Sequence, residues 1–290
     1  MSYQVKIVAD STCDLSPELI EKYNIEVVPL PVNLGDKPCL DGVDVQPADL
    51  FAYYRETGKL PTTSAPTPAY YEELYQKWTD EGYSVVHLSI SLSFTVTHNI
   101  ANMAAEKFPQ IFPVDSRNIS SGMGILAIEA AKLRDEGLEA KEIAERIRAM
   151  TPLVRTSFVL DTLEFMHKGG RCTGVQKLGA NLFNLKPCIE VKDGSMIVGR
   201  KYRGSGKTVL PQYVEVKLKD KTDLQYDKIL ITHTGVEDGI LQSVIDKIKE
   251  VQPSFKEIIP TRAGCSVSVH CGPNTLGLIY LVDGSAAADQ

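Results

Sequence analysis

Hydroxyl side chains crowd one short stretch of the chain: Ser89, Ser91, Ser93, Thr95 and Thr97. Residues 85–90 before them form an apolar run rich in β-branched residues, the pattern of a buried strand. After them, Ile100, Met103, Ala104 and Phe108 recur at helical spacing. Strand, hydroxyl loop and helix start together collect O–H and N–H donors at one point. In an α/β domain that point is the carboxyl edge of the sheet, where ligands bind. Free amides and the helix dipole suit it to an anion such as a carboxylate or a phosphate. The same residues also read as ordinary helix N-caps. Three more loops share the composition: residues 10–14, residues 62–67, and Asp115-Ser116-Arg117. All follow, or sit near, predicted strand ends of the first sheet. Several such loops on one sheet edge point to a polar site, although turn hydroxyls also serve backbone groups.

Other constellations compete with that reading. Gly204-Ser205-Gly206-Lys207-Thr208 ends like a phosphate-binding loop, but such a loop has a glycine five residues before Gly206, and Lys201 stands there. A serine hydrolase would use Ser93 as nucleophile, with His270 or His98 as base and Asp10 or Asp115 as orienter. No G-x-S-x-G elbow accompanies them. Cys265, His270 and Cys271 lack the spacing of a structural zinc site. The six cysteines (Cys13, Cys39, Cys172, Cys188, Cys265 and Cys271) form no C-x-x-C pair and are expected as free thiols of a reducing compartment.

The elements that must position these groups follow from pattern. At 290 residues the chain is long enough for two domains or one large one, and 43% hydrophobic with 23% charged residues is the composition of a soluble globular protein. A formal net charge of −6, a pI near 5.5 and the lack of a basic run argue against a nucleic-acid partner. No apolar segment approaches ~18 residues, so stable membrane insertion is not expected. The first ten residues lack a signal-peptide core. A cytoplasmic location follows. Residues 5–9 and 26–31 read as strands around a helix capped by Ser16, a β-α-β start with a parallel sheet. Residues 34–59 form an excursion with Asp36, Asp41, Asp44, Asp49 and one helix over 47–57. Helices over 68–81, 99–108, 120–136 and 139–150 alternate with strands over 84–90 and 111–114. Pro152 marks the boundary between a first domain, 1–151, and a second, 152–290. In the second, strands are expected over 156–160, 228–232, 256–261 and 276–282, and a hairpin turns at Asp193-Gly194. Helices are expected over 162–168, 175–183, 206–219 and 237–250. The tail from Ser285 is expected to fray.

Glu164-Phe165-Met166-His167-Lys168-Gly169-Gly170-Arg171 resembles the L-E-x-x-x-K-G-G-R signature of the DegV family of bacterial fatty-acid-binding proteins. The resemblance runs along the chain in family order. Asp10-Ser11-Thr12-Cys13-Asp14-Leu15 is similar to D-S-T-x-D-L, and residues 63–68 to T-S-x-P-S-P. Residues 91–95 resemble S-x-L-S-G-T, and Val114-Asp115-Ser116 the V-D-S step. Asn184-Leu185-Lys186-Pro187 is similar to N-i-K-P, and His270-Cys271-Gly272-Pro273 to H-x-G-P.

That likeness implies an N-terminal three-layer α/β/α domain with a parallel sheet and a C-terminal two-layer α/β domain with a mixed sheet. A tunnel between them would hold one long-chain fatty acid. It implies a lipid-binding protein with no catalytic residues of its own and no cofactor or metal, the fatty acid being its ligand. Some members present the acyl group to a separate fatty acid kinase subunit and carry the acyl phosphate. On this likeness Thr63, Ser64, Ser93 and Thr95 would hold the carboxylate, with His270 and Arg171 in the polar network and Arg203 facing the kinase. Hydroxyl donors and a cation offset the cost of a buried carboxylate. Burying about fourteen methylenes at ~0.8 kcal/mol each contributes roughly 11 kcal/mol, against association costs of ~4–15 kcal/mol. Two departures stand out: Phe94 where the family has glycine, and Asn274 where a glycine usually follows Gly272-Pro273. The alternative remains an acyl-ester hydrolase using Ser93 and His270.

Overall fold

The computed structural model describes residues 3–176 and 185–285. β1 (Gln4–Asp10) leads into α1 (Pro17–Tyr23), whose N-cap Ser16 accepts a hydrogen bond from the Leu19 amide at 3.4 Å. β2 (Ile25–Val28) returns parallel to β1. It ends earlier than its apolar run predicts, because Pro29 and Pro31 have no N–H to give a ladder. The chain then leaves that sheet. β3 (Pro31–Leu34), β4 (Lys37–Leu40) and β5 (Thr62–Thr63) make a separate antiparallel sheet of order β4-β3-β5, which the pattern reading missed. Between β4 and β5 lies α2 (Pro47–Thr57), with the expected bounds.

α3 (Pro68–Asp80), β6 (Tyr83–Ser89), α4 (Thr97–Ala105) and β7 (Ile111–Asp115) complete a parallel sheet of order β2-β1-β6-β7. Tyr71, Tyr75 and Trp78 of α3 and Ala101 and Ala104 of α4 cover one face. The other face packs against α5 (Ser121–Asp135) and α6 (Ala140–Met150).

The second sheet contains β8 (Val154–Val159), then, after α7 (Glu164–Gly169) and α8 (Thr173–Gln176), the hairpin β9 (Leu185–Lys192) and β10 (Ser195–Arg203). Asp193 and Gly194 turn that hairpin at φ 50° and 80°, as a two-residue turn requires. α9 (Gly206–Leu218), β11 (Leu224–His233), α10 (Asp238–Val251), β12 (Glu257–Arg262), α11 (Cys265–Cys271) and β13 (Leu276–Val282) follow. The order is β10-β9-β8-β13-β11-β12, mixed because β11 and β12 pair in parallel while their neighbours are antiparallel. Beyond Gln176, the helix expected over 175–183 falls outside the described residues, as do residues 286–290 of the tail.

α5 is the shared layer. From Ser121 to Ile128 every residue is buried, and the helix packs against Ile7 and Ala9 of the parallel sheet and against Leu230, Ile279 and Leu281 of the mixed one. Small residues at its start let both sheets come close. A Cβ on Gly124 would lie 2.5 Å from the Cys13 carbonyl oxygen and 2.7 Å from the Leu15 side chain. Ser120, just ahead, sits at φ 58°, a conformation that favours glycine. α9 and α10 cover the outer face of the mixed sheet through Val209, Tyr213, Val244 and Ile248.

Gly124→Ala should destabilise the fold by about 1–3 kcal/mol, because a backbone carbonyl blocks the added methyl. Urea unfolding should show a lower midpoint at unchanged slope; an unchanged midpoint would mean that the two layers can part without cost.

Candidate functional site

The sequence of α11 carries no signal for a helix. Cys265-Ser266-Val267-Ser268-Val269-His270-Cys271 alternates polar and apolar residues and shows no helical period. Two aspartates from the first part of the chain make it a helix. Asp14 Oδ1 accepts from the Gly264 amide at 2.8 Å, and Asp41 accepts from the Cys265 and Ser266 amides at 2.7 and 2.9 Å. These acceptors satisfy the free N–H groups of the first turn. Burial pushes the Asp14 carboxyl up to about 8, and Ser120 Oγ donates to its second oxygen at 2.5 Å.

With that start fixed, Ser266 and His270, one turn apart, line one cavity of about 90 Å³. Thr63, Ser64 and Ala65 of the β5 loop form one wall; Phe94, Thr95 and Thr97 after β6 form another. Thr12 and Arg171 join them, and Ile90, Ile119, Met196 and Val267 supply the apolar part. His270 Nε2 lies 3.1 Å from Thr63 Oγ1. Its Nδ1 is buried without a partner. A Cβ on Gly169 would lie 2.6 Å from that nitrogen, so the first glycine of the pair at 169–170 is needed for close approach. The second, Gly170, ends α7 at φ 69°. Burial, and then the nearby Arg171 charge, lower the His270 pKa to about 4. The ring is therefore neutral at physiological pH.

Thr63, Ser64, Thr95, Arg171 and His270, grouped above only by the family resemblance, line one cavity. Ser93 does not line it: it is exposed beside Phe94 and accepts a hydrogen bond from Ser195 Oγ of the β9–β10 hairpin at 3.1 Å. Arg203, exposed at the end of β10, also stands outside it. Of the four hydroxyl loops, three converge on the site. The loop at 115–117 serves a different cleft of about 400 Å³, with Arg117 and Arg155 in its lining. The loop at 62–67 arrives from the small antiparallel sheet, not from an end of the parallel one. Sequence reasoning passed over Thr12 and Ser266. Thr12 lay in a flagged loop, whereas Ser266 gave no periodic signal.

A serine-hydrolase arrangement does not form. Among the described residues there is no hydrogen bond between Ser93 and His270. His98 pairs with Ser89 at 2.7 Å, both buried. Asp10 accepts from Tyr71 at 2.8 Å and lies 3.0 Å from His87, whose other nitrogen is 2.7 Å from Tyr75; all four side chains are sealed in the core. The six cysteines are buried free thiols, and the described residues contain no cluster able to hold a metal. No described helix is long and apolar enough to cross a membrane. Asn274 occupies φ 57°, a left-handed conformation that asparagine tolerates.

Fold and site define an α/β protein of three sheets with a hydroxyl-rich cavity that a neutral histidine and an arginine also line. The DegV family model matches residues 4–283, and the chain belongs to that family. A DegV domain-containing protein of Clostridium acetobutylicum is 32% identical over 280 residues, covering 96% of this chain and 98% of that protein. A Thermus thermophilus DegV protein described as fatty-acid-binding superposes with a TM-score of 0.86 at 27% identity, over 96% of this chain and 99% of that one. A stearic-acid-binding protein of Eubacterium ventriosum gives 0.79 at 25% identity, over 96% and 98%.

Arg171→Gln should raise the His270 pKa, since one of its two depressing causes disappears. A depressed histidine pKa contributes stability above pH ~6.5 that is lost as pH falls towards about 4. An NMR titration of the ring protons checks the shift; an unmoved midpoint would remove Arg171 as a cause.

Proposed function

We propose that this protein binds a single long-chain fatty acid, its carboxylate in the hydroxyl-lined cavity and its chain between domains 1–151 and 152–290. The observation that carries this reading is the pairing of Thr63 with a neutral His270 at 3.1 Å, in a cavity that Thr95 and Arg171 also line. With its proton on Nε2, His270 donates to Thr63 Oγ1. The threonine proton is then free to meet an anion, and Arg171 supplies the opposite charge. The acyl chain continues along the apolar cluster of Ile119, Phe158, Met166, Met196 and Val267, where the flexible methionines adapt to its path. Phe94 packs against the same cluster and narrows the head-group end. Ser64 and Ser93, both exposed at the mouth, would meet the head group as it enters. The relatives described as fatty-acid-binding support the ligand class.

The protein does no chemistry itself in this reading. It acts in the cytoplasm as carrier, offering the acid to a fatty acid kinase subunit and holding the acyl phosphate. Arg203, with Gly204 at φ 131° and the start of α9 behind it, gives an exposed cationic edge for that partner.

Native mass spectrometry of protein purified from bacteria should retain the mass of one long-chain acid. Thr63→Val should weaken palmitate binding by about 1.5–3 kcal/mol, the value of a hydrogen bond to a charged group. Parent-like affinity would displace the carboxylate from Thr63. Arg203→Ala should keep the lipid but slow acyl-phosphate formation with a kinase subunit at low salt. Equal turnover at limiting protein would take Arg203 out of the hand-over.

A further inference from the structure

Three residues that line one cavity each carry a buried polar atom without a hydrogen-bond partner: Thr12 Oγ1, Ser266 Oγ and His270 Nδ1. Thr12 is 2% exposed and Ser266 7%. A buried hydroxyl that bonds nothing carries an uncompensated desolvation cost, so native proteins rarely leave one idle. Here two of them belong to residues over 250 positions apart in sequence (12 and 266) that line the same cavity as Thr63, Thr95 and Arg171.

Their placement is built. Thr12 lies in the tight turn Ser11–Cys13 after β1, and Ser266 in the first turn of α11. One carboxylate oxygen holds both segments: Asp41 Oδ2 accepts from Ser11 Oγ at 3.1 Å and from the Ser266 amide at 2.9 Å. Ser11 Oγ in turn accepts from the Leu30 amide at 3.1 Å. The backbone beside each hydroxyl is therefore pinned, while the hydroxyls themselves are spare.

We infer that Thr12 and Ser266 are ligand-binding hydroxyls, a second pair of donors for the ionised head group of the bound acid. The inference rests on the fatty-acid reading above. An ionised carboxylate has two oxygens with about four acceptor positions. Thr63 and Arg171 fill part of that capacity, and Thr95 Oγ1 already shares a proton with Thr97 at 2.9 Å. Thr12 and Ser266 complete it. The arrangement selects an acid over its ester, because an ester carries no charge and accepts more weakly.

Thr12→Val and Ser266→Ala remove the hydroxyls and leave the Asp41 contacts in place. Each should weaken palmitate binding about tenfold or more, as loss of a charge-assisted hydrogen bond does. Binding of methyl palmitate should match the parent. The melting temperature of the delipidated variants should stay level or rise, since an unpaired buried hydroxyl has been removed. Parent-like palmitate affinity in both variants would overturn the inference. Equal losses for acid and ester, with a lower melting temperature, would also overturn it by assigning the hydroxyls to the fold. A parent that binds no palmitate would overturn the fatty-acid reading itself.

Discussion

The two larger sheets of this protein share a single helix, and that shared layer sets everything else. The first eight residues of α5, Ser121 to Ile128, are all buried, because Ile7 and Ala9 press on the helix from one side and Leu230, Ile279 and Leu281 from the other. A helix in that position cannot afford bulk where the sheets converge. Gly122 and Gly124 show the constraint, since a Cβ on either would meet another atom within 2.5 Å. Ser121 adds a polar lock, its hydroxyl lying 2.6 and 3.0 Å from Thr232 and Thr261 of the mixed sheet. The relative position of the sheets is thereby fixed, and with it the gap that becomes the cavity.

Two carboxylates convert that arrangement into a site. Asp14 and Asp41 belong to the first part of the chain, yet they cap a helix near its end. α11 is short, and its alternating sequence has little intrinsic reason to be helical. Held by its first amides, it carries Ser266 and His270 to loops that start from two different sheets. Burial raises the Asp14 pKa to about 8 and lowers that of His270 to about 4, because it penalises the charged form of an acid and of a base alike. Burial thus works against charge in both, and the fixed charge among the cavity's lining residues is that of Arg171.

Polar groups deep in the core play a different part. Asp10, His87, Tyr71 and Tyr75 bond to one another under α3 and are sealed from solvent. They hold the carboxyl ends of β1 and β6 in register, where the loops carrying Thr12 and Thr95 begin. Residues of hydrolytic type can thus serve structure alone when burial denies them a substrate.

Sequence by itself determined the elements whose pattern is local. The parallel β-α-β start, α2 with its proline start, the Asp193-Gly194 hairpin and β13 were all legible, because turn chemistry and apolar period act over a few residues. Motif order, from Asp10 to Pro273, was enough to reach the family. Tertiary structure alone decided the rest. The break at Pro29 that sends β3 to a second sheet, the helicity of α11, the exposure of Ser93 and the unpaired hydroxyls of Thr12 and Ser266 depend on partners far away in sequence. Asp41 stands 224 positions from the Cys265 amide that it caps. No local period encodes such a bond, since its stability comes from burial that exists only once both sheets have closed on α5.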